Sequence, residues 1–85
     1  MYSFEDLKIG QSFIKKYKVT EKTIKNFAHA SGDKNPLHLS EKFAKNTIFK
    51  TRIAHGMLIV SFISSVIGNK FPGPGTIYVS QDLNF

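Results

Sequence analysis

The segment from Met57 to Ile67 is the most apolar part of the chain, and it limits the fold more than any other feature. It reads M-L-I-V-S-F-I-S-S-V-I and carries no charge. Small or apolar residues on every side are typical of a helix that is buried all round. A helix from His55 to Gly68 would be about 21 Å long at 1.5 Å per residue. In 85 residues, which make one domain at most, we expect it to be the core element.

Two segments of strand character flank this helix. Residues 12–20 and 76–85 alternate between two faces and are rich in β-branched and aromatic residues. Two strands cannot complete a sheet around a long helix. The second segment also stops at Phe85 while its pattern still continues. We therefore expect a single, incomplete α+β domain over residues 1–85, inactive or poorly folded unless another chain or fragment completes the sheet.

The segment from Phe27 to His38 reads F-A-H-A-S-G-D-K-N-P-L-H and concentrates the residues suited to chemistry. A helix should precede it, with Gly32 as the left-handed residue at its end. Pro36 should push Asn35 out of the α region, so that the loop is extended up to His38. We expect Thr20 to be the N-cap of the first helix, with a buried stripe formed by Ile24, Phe27, Ala28 and Ser31. A second short helix should follow, with Ser40 as its N-cap and with Phe43 and Ala44 facing inward.

Asp33 and His38 are five residues apart across the Asn-Pro turn. A carboxylate and an imidazole on stiff backbone can act as base and acid on one small molecule without a metal. The residues alone leave two interpretations open. Either the two side chains form a catalytic pair, or Asp33 caps a turn and His38 lies on the surface.

Charge and composition narrow the possible partners. The net charge of +6 points to an anionic partner, but the basic residues are mostly dispersed Lys with one Arg, which argues against nucleic acid. There is no cysteine, which excludes disulfides and thiolate sites. The start has no secretory signal pattern, and no apolar run reaches the roughly 20 residues that span a membrane. We expect a soluble, cytoplasmic protein with no membrane partner.

The motifs together closely resemble those of the MaoC-like, (R)-specific enoyl-CoA hydratases of the hot-dog superfamily. The similarity covers the Phe27 to His38 segment, A-H-G-M-L at 54–58 and G-P-G-T-I-Y-V-S-Q-D-L-N-F at 73–85. It implies a long helix wrapped by an antiparallel sheet, a homodimer, and addition of water to a trans-2-enoyl thioester or the reverse. It implies no cofactor and no metal. The thioester would be carried by coenzyme A or by acyl carrier protein.

Carried over by position, the resemblance makes Asp33 the base toward water and His38 the acid toward the α-carbon. Asn35 would brace the loop, and Ser64 would lie near the active site. A physical argument also supports a substrate-binding role for Gly56, because an N–H in the first turn of a buried helix can bind a developing oxyanion. The alternative for Gly56 is a plain tight turn.

The other histidines and the basic residues have different expected roles. We expect His55 to be an N-terminal helix residue bonded to nearby backbone and His29 to be solvated, and we leave both out of the site. The lysines should be a solvated face, with Lys50, Arg52 or Lys70 as alternative contacts for coenzyme A phosphates or a carrier protein. The alternative functions are a hot-dog thioesterase, a non-catalytic fragment that binds acyl thioesters or a partner subunit, and, last, a nucleic-acid binder.

Overall fold

A computed structural model describes residues 3–85, and the regular elements over this range are helical. A 3₁₀ turn at Phe4–Asp6 is followed by helices α1 (Glu21–Ser31), α2 (Pro36–Leu39), α3 (Glu41–Ala44) and α4 (Gly56–Asn69). The chain divides into two compact units. The central unit is Lys18–Ile59, and the terminal unit is Val60–Phe85 with the described residues up to Tyr17. None of the helices described over residues 3–85 combines the length and the hydropathy that a membrane span needs.

Helix α1 begins and ends as its sequence predicts. The Thr20 hydroxyl accepts a hydrogen bond from the Thr23 N–H at 3.1 Å, which satisfies one of the unpaired donors of the first turn. Gly32 ends the helix at φ 77°. Of the predicted stripe, Ala28 is buried but Ser31 is exposed. The Ser31 hydroxyl instead donates to the Phe27 carbonyl at 2.7 Å, a bond that side chains of this type often make within a helix.

The loop before His38 is shorter than predicted. Asn35 is outside the α region at φ −54° and ψ 126°, as its position before proline requires. The extended conformation then ends, because Pro36 starts α2 and places His38 on a helical turn. Proline favours this because its fixed φ suits the first position of a helix, where no N–H is needed.

Helix α3 confirms one of the two predicted inward residues. Ser40 caps it by accepting from the Phe43 N–H at 3.2 Å, and Ala44 is fully buried. The prediction for Phe43 is wrong, since half of its surface is exposed. The two side chains point about 100° apart, and this short helix directs Ala44 inward.

Residues 12–20 and 76–85 form no strand in the described part of the chain, and the predicted sheet is not confirmed. A strand is held by backbone bonds to a neighbouring strand, and alternation along the sequence cannot supply that neighbour. The described aromatic side chains of the terminal unit contact one another instead. Tyr17 stacks on Phe62 with ring centroids 4.5 Å apart, and Phe13 stacks on Phe71 at 5.7 Å.

Helix α4 confirms the predicted long helix but is not buried all round. Leu58 and Val60 are buried, whereas about half of the surface is exposed for three other apolar side chains: Met57, Ile59 and Ile63. An apolar helix needs a cover on each side before it can be buried. Within residues 3–85, Leu58 and Val60 are covered, and no sheet covers the exposed apolar positions.

Arg52 joins α1 and α3 to the segment that leads into α4. Its guanidinium donates two hydrogen bonds to the Glu21 carboxylate, at 2.8 and 2.7 Å, and a third to Glu41 at 3.3 Å. Glu41 also accepts from the Thr51 hydroxyl at 2.7 Å and from the Arg52 backbone N–H at 3.3 Å. A bidentate guanidinium–carboxylate pair fixes orientation as well as distance. Thr51 and Arg52, at the start of this segment, are therefore fixed against α1 and α3.

These bonds lower the pKa of both carboxyls. The hydrogen bonds from Arg52 are the main cause for Glu21, and the bond from the Thr51 hydroxyl is the main cause for Glu41. A carboxyl whose pKa is lower in the folded chain stabilises the fold when the pH is above the pKa of the unfolded chain, here 4.5. This stabilisation is lost as the pH falls through the pKa of the folded chain.

We predict that Arg52→Gln lowers the melting temperature at pH 7, and that its difference from the unchanged chain shrinks as the pH falls below 4.5. Thermal melts followed by circular dichroism between pH 7 and pH 3 measure this. Lys22→Gln, which removes an exposed charge from α1, is the matched control and should show no such convergence. A difference for Arg52→Gln that stays constant across this range would contradict the prediction.

Candidate active site

Asp33 follows directly after the left-handed turn at Gly32. Its backbone N–H donates to the Ser31 hydroxyl at 3.1 Å, and its side chain is exposed. His38 lies on α2 and is buried. The Nδ1 of His38 forms a hydrogen bond with the Ile53 carbonyl at 2.8 Å. The carboxylate is thus open to a ligand, while the imidazole is fixed by the segment that precedes α4.

The structure brings Asp33, His38 and His55 together within the central unit. A carboxylate oxygen of Asp33 and one ring nitrogen from each histidine lie within 4.8 Å of one another. A water molecule or a small polar group could contact the carboxylate and the imidazole at this spacing. The first two residues are those that the sequence singles out, and their catalytic role remains a prediction.

His55 is the member of the cluster that sequence reasoning left out. It was expected to bond nearby backbone, and its partner is the Asp33 carbonyl, 22 residues earlier, with Nε2 at 2.9 Å. The ring stacks on His38, with centroids 3.8 Å apart, and the Phe27 ring meets it edge-on at 4.9 Å. Only 1% of His55 is exposed. No local pattern encodes a contact over this separation, so only the position of His55 before the apolar helix could have drawn attention to it.

The two backbone carbonyls determine which nitrogen of each ring carries hydrogen. A carbonyl oxygen only accepts, so the ring nitrogen must donate in both bonds. Neutral His38 therefore has its hydrogen on Nδ1 and presents Nε2 as acceptor. Neutral His55 has its hydrogen on Nε2, and its buried Nδ1 has no hydrogen-bond partner among residues 3–85.

The cluster has the residue types of a metal site, but its ring geometry does not suit one. A metal ion lies close to the plane of each imidazole that binds it, about 2 Å from the nitrogen. The rings of His38 and His55 are stacked at 3.8 Å and inclined by 28°. Because the two ring planes are nearly parallel, one metal ion cannot lie in both planes at about 2 Å from a nitrogen of each ring. The stacking is better suited to fixing the His38 ring against the His55 ring.

The remaining predicted site residues occupy different places. Asn35 is the N-cap of α2, where its side-chain oxygen accepts from the Leu37 N–H at 3.0 Å. Gly56 is the first residue of α4 and directly follows His55, so the helix N-terminus begins beside the cluster. Ser64 lies on α4 in the terminal unit and is exposed. His29 is exposed on α1, as expected. The substrate-binding roles of Asn35, Gly56 and Ser64 remain predictions.

A carboxylate and an imidazole beside a helix N-terminus form an arrangement suited to acid–base chemistry on a substrate that develops negative charge. Comparison with known proteins identifies the family. The family model described as "MaoC like domain" matches residues 5–85. The chain belongs to the MaoC-like domain family, which confirms the resemblance drawn from the motifs.

Relatives and solved structures agree with this assignment. The chain is 52% identical over 85 residues to an "(R)-specific enoyl-CoA hydratase" of Rhodospirillum rubrum, covering all of this chain and 59% of the relative. It is 50% identical over 82 residues to a "3-hydroxybutyryl-CoA dehydratase" of Methylorubrum extorquens, covering 96% of this chain and 52% of the relative. An unliganded R-hydratase from Pseudomonas aeruginosa matches with a TM-score of 0.88 and 46% identity, over 95% of this chain and 52% of that one.

The chain spans between half and three-fifths of the length of these two curated relatives. The matched portion contains Asp33, His38, His55 and Gly56, since the family model begins at residue 5 and ends at residue 85.

The cap at Asn35 allows a direct test of how α2 is held. Replacing an N-cap asparagine by alanine typically costs about 1 kcal/mol, because a first-turn N–H loses its acceptor. We predict a loss of this size in the free energy of unfolding for Asn35→Ala, measured by urea denaturation. Asn35→Asp keeps an oxygen acceptor and should lose much less. Equal losses in the two variants would show that the side-chain acceptor does not stabilise α2.

Proposed function

We propose that the protein containing this chain adds water to trans-2-enoyl-CoA to give (R)-3-hydroxyacyl-CoA, or catalyses the reverse dehydration. The observation that carries the proposal is the approach of the Asp33 carboxylate and a His38 ring nitrogen to within 4.8 Å beside the start of α4. The names of the relatives support it, since they describe hydration and dehydration of acyl-CoA thioesters. We further propose that the whole domain is a hot-dog fold that works as a cytoplasmic homodimer.

In the hydration direction, Asp33 and His38 hold one water molecule. The Asp33 carboxylate takes a proton from the water, and the oxygen bonds to the β-carbon of the enoyl thioester. The double-bond electrons move to the thioester carbonyl oxygen, which becomes an enolate. Protonated His38 then gives a proton from Nε2 to the α-carbon. A proton returned from Asp33 to His38 through solvent restores the starting state, so that the net change is addition of H and OH.

The Ile53 carbonyl makes this division of labour possible. It occupies Nδ1 of His38, which leaves Nε2 as the nitrogen that can exchange a proton with the substrate. Asp33 is exposed, so its carboxylate can reach water that the buried ring of His38 also contacts. Orientation of this kind is a main source of catalysis, since reacting groups must be held close to their transition-state positions.

Gly56 supplies the third component of the proposed reaction. The first N–H groups of a helix have no partner within the helix and carry the positive end of its dipole. The Gly56 N–H would therefore stabilise the enolate oxygen, and the missing side chain lets the thioester approach closely. Asn35 would keep α2 in place, and Ser64 would contact the substrate.

Substitution of the catalytic pair is the primary test. We predict that Asp33→Asn and His38→Gln each lower the rate of crotonyl-CoA hydration by at least about 100-fold, since each removes a proton-transfer group. Loss of the enoyl-thioester absorbance measures the rate, and chiral analysis of the product measures the (R) preference. His29→Gln, on an exposed position of α1, is the matched control. An unchanged rate in Asp33→Asn would refute the catalytic assignment.

The same assay decides between the alternative activities. Release of free coenzyme A without 3-hydroxyacyl product would identify a thioesterase. Binding of the thioester without either reaction would identify a non-catalytic domain. The basic residues considered for coenzyme A or carrier-protein contacts are Lys50, Arg52 and Lys70, and Arg52 also pairs with Glu21 and Glu41.

The role of Gly56 can be tested at its backbone N–H. Proline is accepted at the first position of a helix but has no N–H. We predict that Gly56→Pro lowers kcat by about 100-fold, as expected for loss of one oxyanion donor. Gly56→Ala keeps the N–H and serves as the control for the added side-chain carbon. If both variants lose the same activity, the N–H is not the important group.

A further inference from the structure

We infer that His55 is a positioning residue for the Asp33–His38 pair, a role that rests on the proposed function. Two contacts and one covalent connection support it. Its Nε2–H donates to the Asp33 carbonyl at 2.9 Å, its ring face stacks on His38 at 3.8 Å, and its backbone leads directly into Gly56. The buried His55 side chain thus connects the proposed base to the proposed acid, and its backbone leads to the proposed oxyanion donor.

The unpaired nitrogen of His55 argues that this histidine does more than fill space. Its Nδ1 is buried and has no hydrogen-bond partner among the described residues. An unsatisfied buried polar atom destabilises a fold. A phenylalanine would occupy similar volume between Phe27 and His38 without that cost. The feature that only histidine contributes is the Nε2–H bond to Asp33.

That bond acts on a residue whose other described hydrogen bond is the one from its N–H to the Ser31 hydroxyl at 3.1 Å. The side chain of Asp33 is exposed, and its backbone follows a left-handed glycine. The bond to His55 fixes the Asp33 carbonyl, and with it the peptide from which the carboxylate extends. A displacement of about 1 Å at a reacting group can lower a rate by about 100-fold. The geometry therefore assigns His55 an effect on turnover that exceeds its effect on stability.

Three substitutions in the full chain separate the contacts. His55→Phe keeps the ring stack and removes the donor, His55→Gln keeps a donor and removes the ring, and His55→Ala removes both. We expect His55→Phe to lower kcat for crotonyl-CoA hydration at least about tenfold, with KM changed less than about threefold. Its melting temperature should equal or exceed that of the unchanged chain. His55→Gln should recover part of the kcat that His55→Ala loses.

The outcome that would overturn the inference is a His55→Phe variant that melts normally and keeps kcat within about twofold. Loss of kcat in strict proportion to loss of folded protein would also overturn it, because that pattern is expected of a merely structural residue. His29→Gln is the control for loss of a histidine at an exposed position of the same unit.

A second measurement needs neither a variant nor a substrate. Nitrogen-15 NMR of the unchanged chain should show the neutral His55 ring protonated at Nε2 and the neutral His38 ring at Nδ1. A His55 ring protonated at Nδ1 would refute the bond to Asp33 and the inference with it. If the unchanged chain shows these tautomers but the protein that contains it hydrates no enoyl thioester, the proposed function fails, while the connection between the three residues stands.

Discussion

The hydrogen bond from the His55 ring to the Asp33 carbonyl joins the two parts of the chain on which the site depends. One part ends α1 and supplies Asp33 and, through α2, His38. The other part leads into α4 and supplies the helix N-terminus. Backbone carbonyls on both sides accept from imidazoles, since His38 bonds Ile53 in return. A pair of reciprocal bonds of this kind resists sliding of one segment along the other, and this is what brings a carboxylate and an imidazole to within 4.8 Å.

Arg52 supports the same arrangement from outside the cluster. Its bonds to Glu21 and Glu41 fix the start of the segment that contains Ile53 and His55. The cluster itself needs an exposed carboxylate, and an exposed group gains little rigidity from packing. The rigidity is supplied instead by a bidentate ion pair on one side and a buried ring on the other. Arg52, Glu21 and Glu41 thus stabilise the central unit through their ion pairs. The sequence had offered contact with a ligand as one alternative for Arg52.

The elements predicted correctly are those that local chemistry determines. Thr20 and Ser40 cap helices because a side-chain oxygen next to unpaired N–H groups is sufficient, and Gly32 ends α1 because it tolerates positive φ. The errors arise where the answer depends on a distant partner. Residues 12–20 alternate as a strand would, but the described chain gives them no partner to pair with. The apolar helix α4 was expected to be buried on all sides, and the extent of its burial depends on what covers it.

The sequence by itself determined the family, the helix that organises the chain and the pairing of Asp33 with His38 as candidate catalysts, because caps, glycines and prolines act within a few residues of where they stand. Only the tertiary structure decided the contacts of His55. Its hydrogen-bond partner lies 22 residues away and is a backbone carbonyl, a group that every residue has and that no sequence pattern can mark. The tautomers of both rings follow from such carbonyls, and so the direction in which each imidazole can pass a proton depends on the folded chain.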